Sequence, residues 1–289
     1  MRIEHSLAGL RAALGAGRQV GFVATMGNLH DGHLALVREA RRRLGPDGLV
    51  VASIFVNRLQ FGAGEDFDEY PRTFERDAGM LREAGCNLLF APDEAVMYPQ
   101  PQTFQIAPDP ALAGILEGEV RPGHFAGVCT VVMKLFTMVQ PTISMFGKKD
   151  YQQLMLVRQM AQQFALPLTV VGCEIVREPD GLAMSSRNGY LTADQRTEAP
   201  RLYRVLAELA DAVRAARAGG RLDPGELARF EADASALLSS HGWAPDYVTV
   251  RRRRDLLAPE PDELRGSEPL VALAAAKIGT PRLLDNIEI

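Results

Sequence analysis

The residues of this chain best suited to chemistry fall into short clusters next to apolar runs. His30 and His33 stand three apart. They follow the apolar run 20–23 and precede Leu34, Leu36, Val37 and Ala40, which are spaced like the inner face of a helix. The pattern predicts a strand turning into a helix. Such a junction offers backbone N–H groups and the positive end of a helix dipole to an anion. Histidines add donors that can carry charge near neutral pH, and the flanking Gly27 and Gly32 allow close backbone approach. As a bare pair the histidines are also half of a zinc site. A catalytic zinc ordinarily takes three protein ligands, however, and His5, His124 and His241 make no obvious set with them.

Four further clusters follow. Asn57 and Gln60 are amides that can both donate and accept toward a small polar substrate. Glu117-Gly118-x-x-Arg121-Pro122-Gly123-His124 joins a loop to a helix start. In Gly147-Lys148-Lys149-Asp150, a lysine beside a glycine at a strand end can meet a phosphate as a point charge. Met184-Ser185-Ser186-Arg187 combines hydroxyls with an arginine able to hold two phosphate oxygens at once. Each cluster alone fits an ordinary polar loop; the early histidine pair combined with the late serine–arginine loop is far more specific.

The elements that must position these clusters follow from periodicity. Leu7, Leu10, Ala13 and Leu14 predict a helix before the strand at 20, and Gly45-Pro46 stops the helix after His33. Residues 49–55 predict a second strand, 57–64 a loop, and 88–90 a third strand after a helix capped by Thr73. Residues 99–110 are proline-rich and predict an irregular excursion. A helix opens at 123–127, and strands at 143–146 and 168–171 flank a helix over 150–164. This alternation predicts a doubly wound, Rossmann-like parallel sheet of five strands with ligands at its strand-end loops. Beyond Val176 the texture changes. Thr192-x-x-Gln195 predicts a capping box opening one long helix to about Arg217, Asp223-Pro224 starts another, and 248–250, 270–276 and 282–287 read as strands of a smaller α+β domain. The expected domains are therefore 1–178 and 179–289.

Composition bounds the function classes. With 47% apolar and 24% charged residues, this is an ordinary globular chain without a run long enough for a membrane span. A net charge of −4 argues against a nucleic-acid-coating surface. Arg251-Arg252-Arg253-Arg254 is the one strong basic cluster and reads as a solvated or dimer-edge patch. Cys86, Cys129 and Cys173 are scattered, which predicts neither a disulfide framework nor a cysteine zinc site and makes a reducing cytoplasm the default. Walker-type, GxGxxG and GxSxG motifs are absent.

The spacing His-x-Gly-His resembles the signature of nucleotidyl-transferring α/β enzymes. Together with Tyr70-Pro71-Arg72-Thr73 and the stretch 180–188, the clusters resemble, in order and over nearly the whole chain, the pantoate–β-alanine ligase family. That resemblance implies a two-step reaction. Pantoate attacks the ATP α-phosphate to give an acyl adenylate and pyrophosphate, and β-alanine then displaces AMP. It also implies a cytoplasmic, magnesium-dependent homodimer without nucleic-acid or membrane partners, in which residues 1–178 bind ATP and pantoate and 179–289 act as a lid. Carried over by motif, Met26, Gly27, Asn28, Leu29, His30, Asp31, Gly32 and His33 would border ATP, with His30 and His33 at its phosphates and His33 as general acid. Gly147, Lys148, Lys149 and Asp150 would also contact ATP, with Lys149 toward phosphate and Asp150 toward ribose. Val176 would offer backbone contacts to adenine. Met184, Ser185, Ser186 and Arg187 would form the closing loop. Gln60 and Gln153 would hold pantoate, with Gln60 also near the β-alanine position and Asn57 a further substrate-binding residue, and Asp77 would bind magnesium.

Three positions depart from the family pattern: Ala24 and Arg58 replace prolines, and Lys148 replaces glutamate. Arg58 leaves the Asn57 backbone less restricted and adds a cation beside the pantoate loop, while Lys148 sets a repulsive neighbour beside Lys149. The rival readings are a nucleotidyltransferase that keeps AMP on its product, and a non-catalytic ATP-binding regulator suggested by the two added cations.

Overall fold

The computed structural model describes residues 1–289 except Ala63 and Asp66, so Ala63, part of the expected 57–64 loop, lies outside the described residues. The chain divides into two compact units, Met1–Lys148 with Gln152–Glu174, and Lys149–Tyr151 with Ile175–Ile289. No helix among the described residues is long and apolar enough to cross a membrane.

The first unit is built on β1 (Arg2–Glu4), α1 (Leu7–Leu14), β2 (Val20–Thr25), α2 (Asp31–Leu44), β3 (Leu49–Ile54), α3 (Phe74–Glu83) and β4 (Leu88–Phe90). Three one-turn helices follow, α4 (Glu94–Met97), α5 (Pro110–Ala113) and α6 (Glu117–Val120). Then come α7 (His124–Val139), β5 (Ile143–Gly147), α8 (Tyr151–Gln163) and β6 (Thr169–Cys173). The strands form one parallel sheet in the order β1-β4-β3-β2-β5-β6. It has six strands rather than the five expected from the sequence. The added strand is the three-residue edge β1, which carries no apolar pattern of its own and exists through its pairing with β4.

Both faces of the sheet are covered, which is why β2 and β3 read as continuous apolar runs. Val23, Val50 and Ala52 pack with Leu34, Val37 and Ala40 of α2 on one face. On the other, Phe22 meets Phe136 of α7 edge-on at 6.4 Å. From β2 the chain winds outward through β3 and β4, then returns to β5 on the opposite side of β2. The crevice outside the carboxyl ends of β2 and β5 is thus the topological switch point of the sheet, where ligands bind such folds.

The second unit contains α9 (Ala193–Glu198), α10 (Arg201–Ala218), α11 (Pro224–Ser240), and an antiparallel sheet of β7 (Trp243–Arg252), β8 (Leu270–Ile278) and β9 (Arg282–Glu288). Leu202, Leu206 and Leu209 pack with Val250, Ala272 and Ala274 in its core. The capping box of Thr192 and Gln195 forms, but the single long helix expected there is two. Ala199 and Pro200 both keep right-handed helical backbone, but Pro200 has no N–H to continue the hydrogen-bond ladder, and the helix restarts at Arg201. Three arginines of the basic cluster are partnered within this unit: Arg252 pairs with Asp255 and Glu263, Arg253 with Glu288, and Arg254 with Glu263 and Glu268.

Candidate active site

The turn from β2 into α2 is held by hydrogen bonds from three sides. Thr25 Oγ1 donates to Ser53 O at 2.7 Å and accepts from Gly27 N at 3.3 Å. Gly27 and Asn28 then take left-handed backbone, with φ of 85° and 49°. A Cβ on Gly27 would lie 3.2 Å from both Asp77 Oδ2 and Ile54 Cγ2, so both space and φ select glycine there. Asp77, on α3, is fully buried. Its Oδ2 accepts from Asn28 N at 2.7 Å and Thr73 Oγ1 at 3.0 Å, and its Oδ1 accepts from Leu29 N at 3.0 Å and Arg76 at 3.3 Å. This corrects the magnesium reading of Asp77: a carboxylate closed off from solvent, with both oxygens on N–H and O–H donors, is a clamp for the turn.

The two histidines cap α2 reciprocally. Gly32 N donates to His30 Nδ1 at 3.2 Å, and His30 N donates to His33 Nδ1 at 3.4 Å. The rings stand 4.1 Å apart between centroids. A ring nitrogen that accepts holds no proton, so this hydrogen-bond network assigns each ring proton to Nε2. The pair therefore presents N–H donors through Nε2 while Nδ1 fixes ring orientation. Asp31 is exposed at the first position of α2, and Gly32 is half-buried.

After β3, a single 3₁₀ turn (Arg58–Gln60) carries the amide cluster. Gln60 Nε2 lies 3.1 Å from Met26 Sδ, so the amide loop touches the histidine turn. Asn57 is buried and hydrogen-bonded through both ends of its amide. Its Nδ2 donates to Gln60 Oε1 at 3.1 Å and Gly127 O at 3.3 Å, and its Oδ1 accepts from Tyr98 Oη at 2.7 Å. Burial pushes the Tyr98 phenol up to about 12, which keeps it a donor. Asn57 thus orients Gln60 through its amide nitrogen. Gly127 lets α7 approach this turn, since a Cβ there would sit 2.1 Å from Leu59 O.

On α8, Gln152 is buried and holds Leu112 O and Ile115 O at 2.6 and 2.8 Å. Its neighbour Gln153 is half-buried and makes no such tie among the described residues. Gly147 ends β5, next to β2 in the sheet, and Lys148 follows it.

The departures from the family pattern are accommodated locally. Ala24 continues the β2–β3 ladder opposite Ser53. Asn57 keeps an extended backbone, φ −90° and ψ 109°, without a proline after it. Arg58 lies 3.9 Å over the Phe67 ring and 3.5 Å from Glu94, and Lys148 pairs with Glu174, so neither charge stands bare as the sequence suggested.

In the second unit, Arg177 grips the buried Asp285 with two hydrogen bonds of 2.6 and 2.9 Å, donates to Gly181 O at 3.0 Å and stacks on Tyr203. Met184 N donates to Val176 O at 3.0 Å, and Ser185 Oγ accepts from Arg187 N at 3.3 Å to cap the one-turn helix that Ser186 and Arg187 begin. Lys149 O accepts from Asn286 Nδ2 at 3.0 Å, and Lys149 Nζ lies 3.5 Å from the exposed Asp150.

The family model for pantoate–β-alanine ligase matches residues 2–288. The chain belongs to the pantoate–β-alanine ligase family. It is 60% identical to the pantothenate synthetase of Leptothrix cholodnii, over the full length of both. Among solved structures, the pantothenate synthetase of Thermus thermophilus is 44% identical with a TM-score of 0.89, covering 99% of each chain. The pantoate–β-alanine ligase of Francisella tularensis, solved with β,γ-ATP and β-alanine, is 30% identical with a TM-score of 0.78, covering 99% of this chain and 97% of that one. In this ligase, sequence reasoning missed the Asp77 clamp and the Tyr98 contact, neither of which has a local motif.

Proposed function

We propose that this enzyme condenses pantoate and β-alanine into pantothenate with ATP, through a pantoyl adenylate, releasing pyrophosphate and AMP. The observation that supports this most is the contact between Gln60 and Met26: a substrate amide beside a nucleotide-type turn at the carboxyl edge of the sheet. A carboxylate becomes a good acyl donor only once one oxygen is bound to a leaving group, which adenylation supplies. Attack of one anion on another needs donors that gather charge in the transition state.

In this reading residues 26–33 border ATP, and His30 and His33 donate Nε2–H to its phosphates; to act as general acid His33 takes up a second proton on Nδ1, displacing the His30 N–H, before Nε2–H is given up. Lys149 and Arg187 add charge. Gln60 and Gln153 hold pantoate, with Asn57 behind Gln60. Gly147–Asp150, Val176 and Met184–Ser186 complete the nucleotide contacts, the last as the closing loop of a C-terminal lid. Domains at 1–178 and 179–289, a homodimer and a cytoplasmic location complete the proposal. Magnesium would arrive on the nucleotide's own phosphates and water, since both oxygens of Asp77 are engaged by donors of the turn and of α3.

Product analysis tests the reading. With ATP, magnesium, pantoate and β-alanine, equal amounts of AMP, pyrophosphate and the amide are expected. ADP, or a product that keeps the adenylyl group, would contradict it.

A further inference from the structure

We infer that His124 is a positioning residue for pantoate, acting on Gln60 as a donor locked in one tautomer. The inference rests on the assignment of Gln60 to pantoate. His124 Nδ1 lies 2.8 Å from Gln60 O, and His124 Nε2 lies 3.1 Å from an Arg121 guanidinium nitrogen. Arginine only donates, so Nε2 must accept and the ring proton must sit on Nδ1, where it donates to the Gln60 carbonyl. Arg121 is itself fixed. Both oxygens of Glu65 hold it, at 2.7 and 2.6 Å, and its other terminal nitrogen reaches Gln60 O at 3.4 Å.

The charge balance keeps this chain in order. Burial and the Arg121 cation both hold the His124 imidazole below its usual value, and hydrogen bonding to Arg121 holds the Glu65 carboxyl low as well. An imidazolium would present a second N–H to a guanidinium, so the neutral form is the one this geometry accepts. The result is two tethers on one residue. Asn57 grips the Gln60 side chain and His124 its backbone, both beside a cleft of about 500 Å³ lined by Gln60, Glu65, Arg121 and His124. The 3₁₀ turn is too short to fix its last residue by itself.

The test uses the full-length enzyme and pantoate-dependent exchange of pyrophosphate into ATP. Asparagine can set its amide N–H close to where Nδ1–H stands, whereas leucine cannot donate. His124→Leu should raise the pantoate KM about tenfold, the scale of one buried hydrogen bond, and leave the ATP KM within about twofold. His124→Asn should recover most of that loss. In a Gln60→Ala background, His124→Leu should no longer change the pantoate KM, because the side chain being positioned is gone. Circular dichroism and the ATP KM report that each variant is folded. An unchanged pantoate KM in His124→Leu, equal damage in His124→Asn, or the same added loss in the Gln60→Ala background would each overturn the inference. Wild-type enzyme with no exchange at all would instead refute the proposed function.

Discussion

The β2–α2 turn and the Met184–Arg187 loop, both assigned to the nucleotide, are built in opposite ways. The turn is rigid at the residues that carry the chemistry. Left-handed Gly27 and Asn28, the buried Asp77 clamp and the reciprocal histidine caps fix each of residues 27–33 directly or through a neighbour. The loop is rigid at its base. Arg177 and Asp285 tie the preceding turn to β9, Met184 N donates to Val176 O and Asn188 Nδ2 to Ala183 O, and the loop then runs into a short 3₁₀ segment, Ser186–Tyr190, capped by Ser185. Groups that must hold a transition-state charge benefit from fixed donors, whereas groups that close over a substrate must be able to move.

Substitutions can break or sharpen this contrast. Asp285→Ala should cost most, about 3–5 kcal/mol in denaturant unfolding, because it strands the Arg177 charge beneath the loop. A loss below about 0.5 kcal/mol, the level of an ordinary surface change, would show that the loop does not depend on its base. Asp77→Ala leaves the Asn28 and Leu29 N–H groups without an acceptor and should cost about 3 kcal/mol together with a raised ATP KM, and Asp77→Asn should recover part of both. Gly27→Ala forces a side chain into left-handed backbone and should cost about 1–2 kcal/mol by thermal unfolding; an unchanged melting temperature would mean that the turn relaxes. Ser185→Ala removes one cap and should cost under about 1 kcal/mol while raising the ATP KM. A large stability loss there would erase the distinction between turn and loop.

Legibility in the sequence followed how local each determinant is. The strand–turn–helix at 20–44 was readable because apolar period, glycines and histidines sit within one window, and so was the Thr192–Gln195 box. The edge strand β1 was not, because its pairing with β4 joins residues more than 80 apart. The break at Pro200 was written in the sequence but outweighed by the leucine periodicity around it. The roles of Asp77 and Asn57, and the neutralisation of Arg58 and Lys148 by Glu94 and Glu174, depend on partners that only the fold supplies. The motif Arg121-Pro-Gly-His124 was visible as a cluster, yet its tautomer lock needed the Gln60 carbonyl.

The most direct test of the central claim, that the histidine turn activates pantoate on ATP, is exchange of labelled pyrophosphate into ATP with magnesium and pantoate but without β-alanine. The account predicts pantoate-dependent exchange in the wild-type enzyme and its loss, by about a hundredfold or more for one transition-state donor, in a folded His33→Ala variant. Undiminished exchange in that variant, or none in a folded wild-type enzyme that binds ATP, would contradict it.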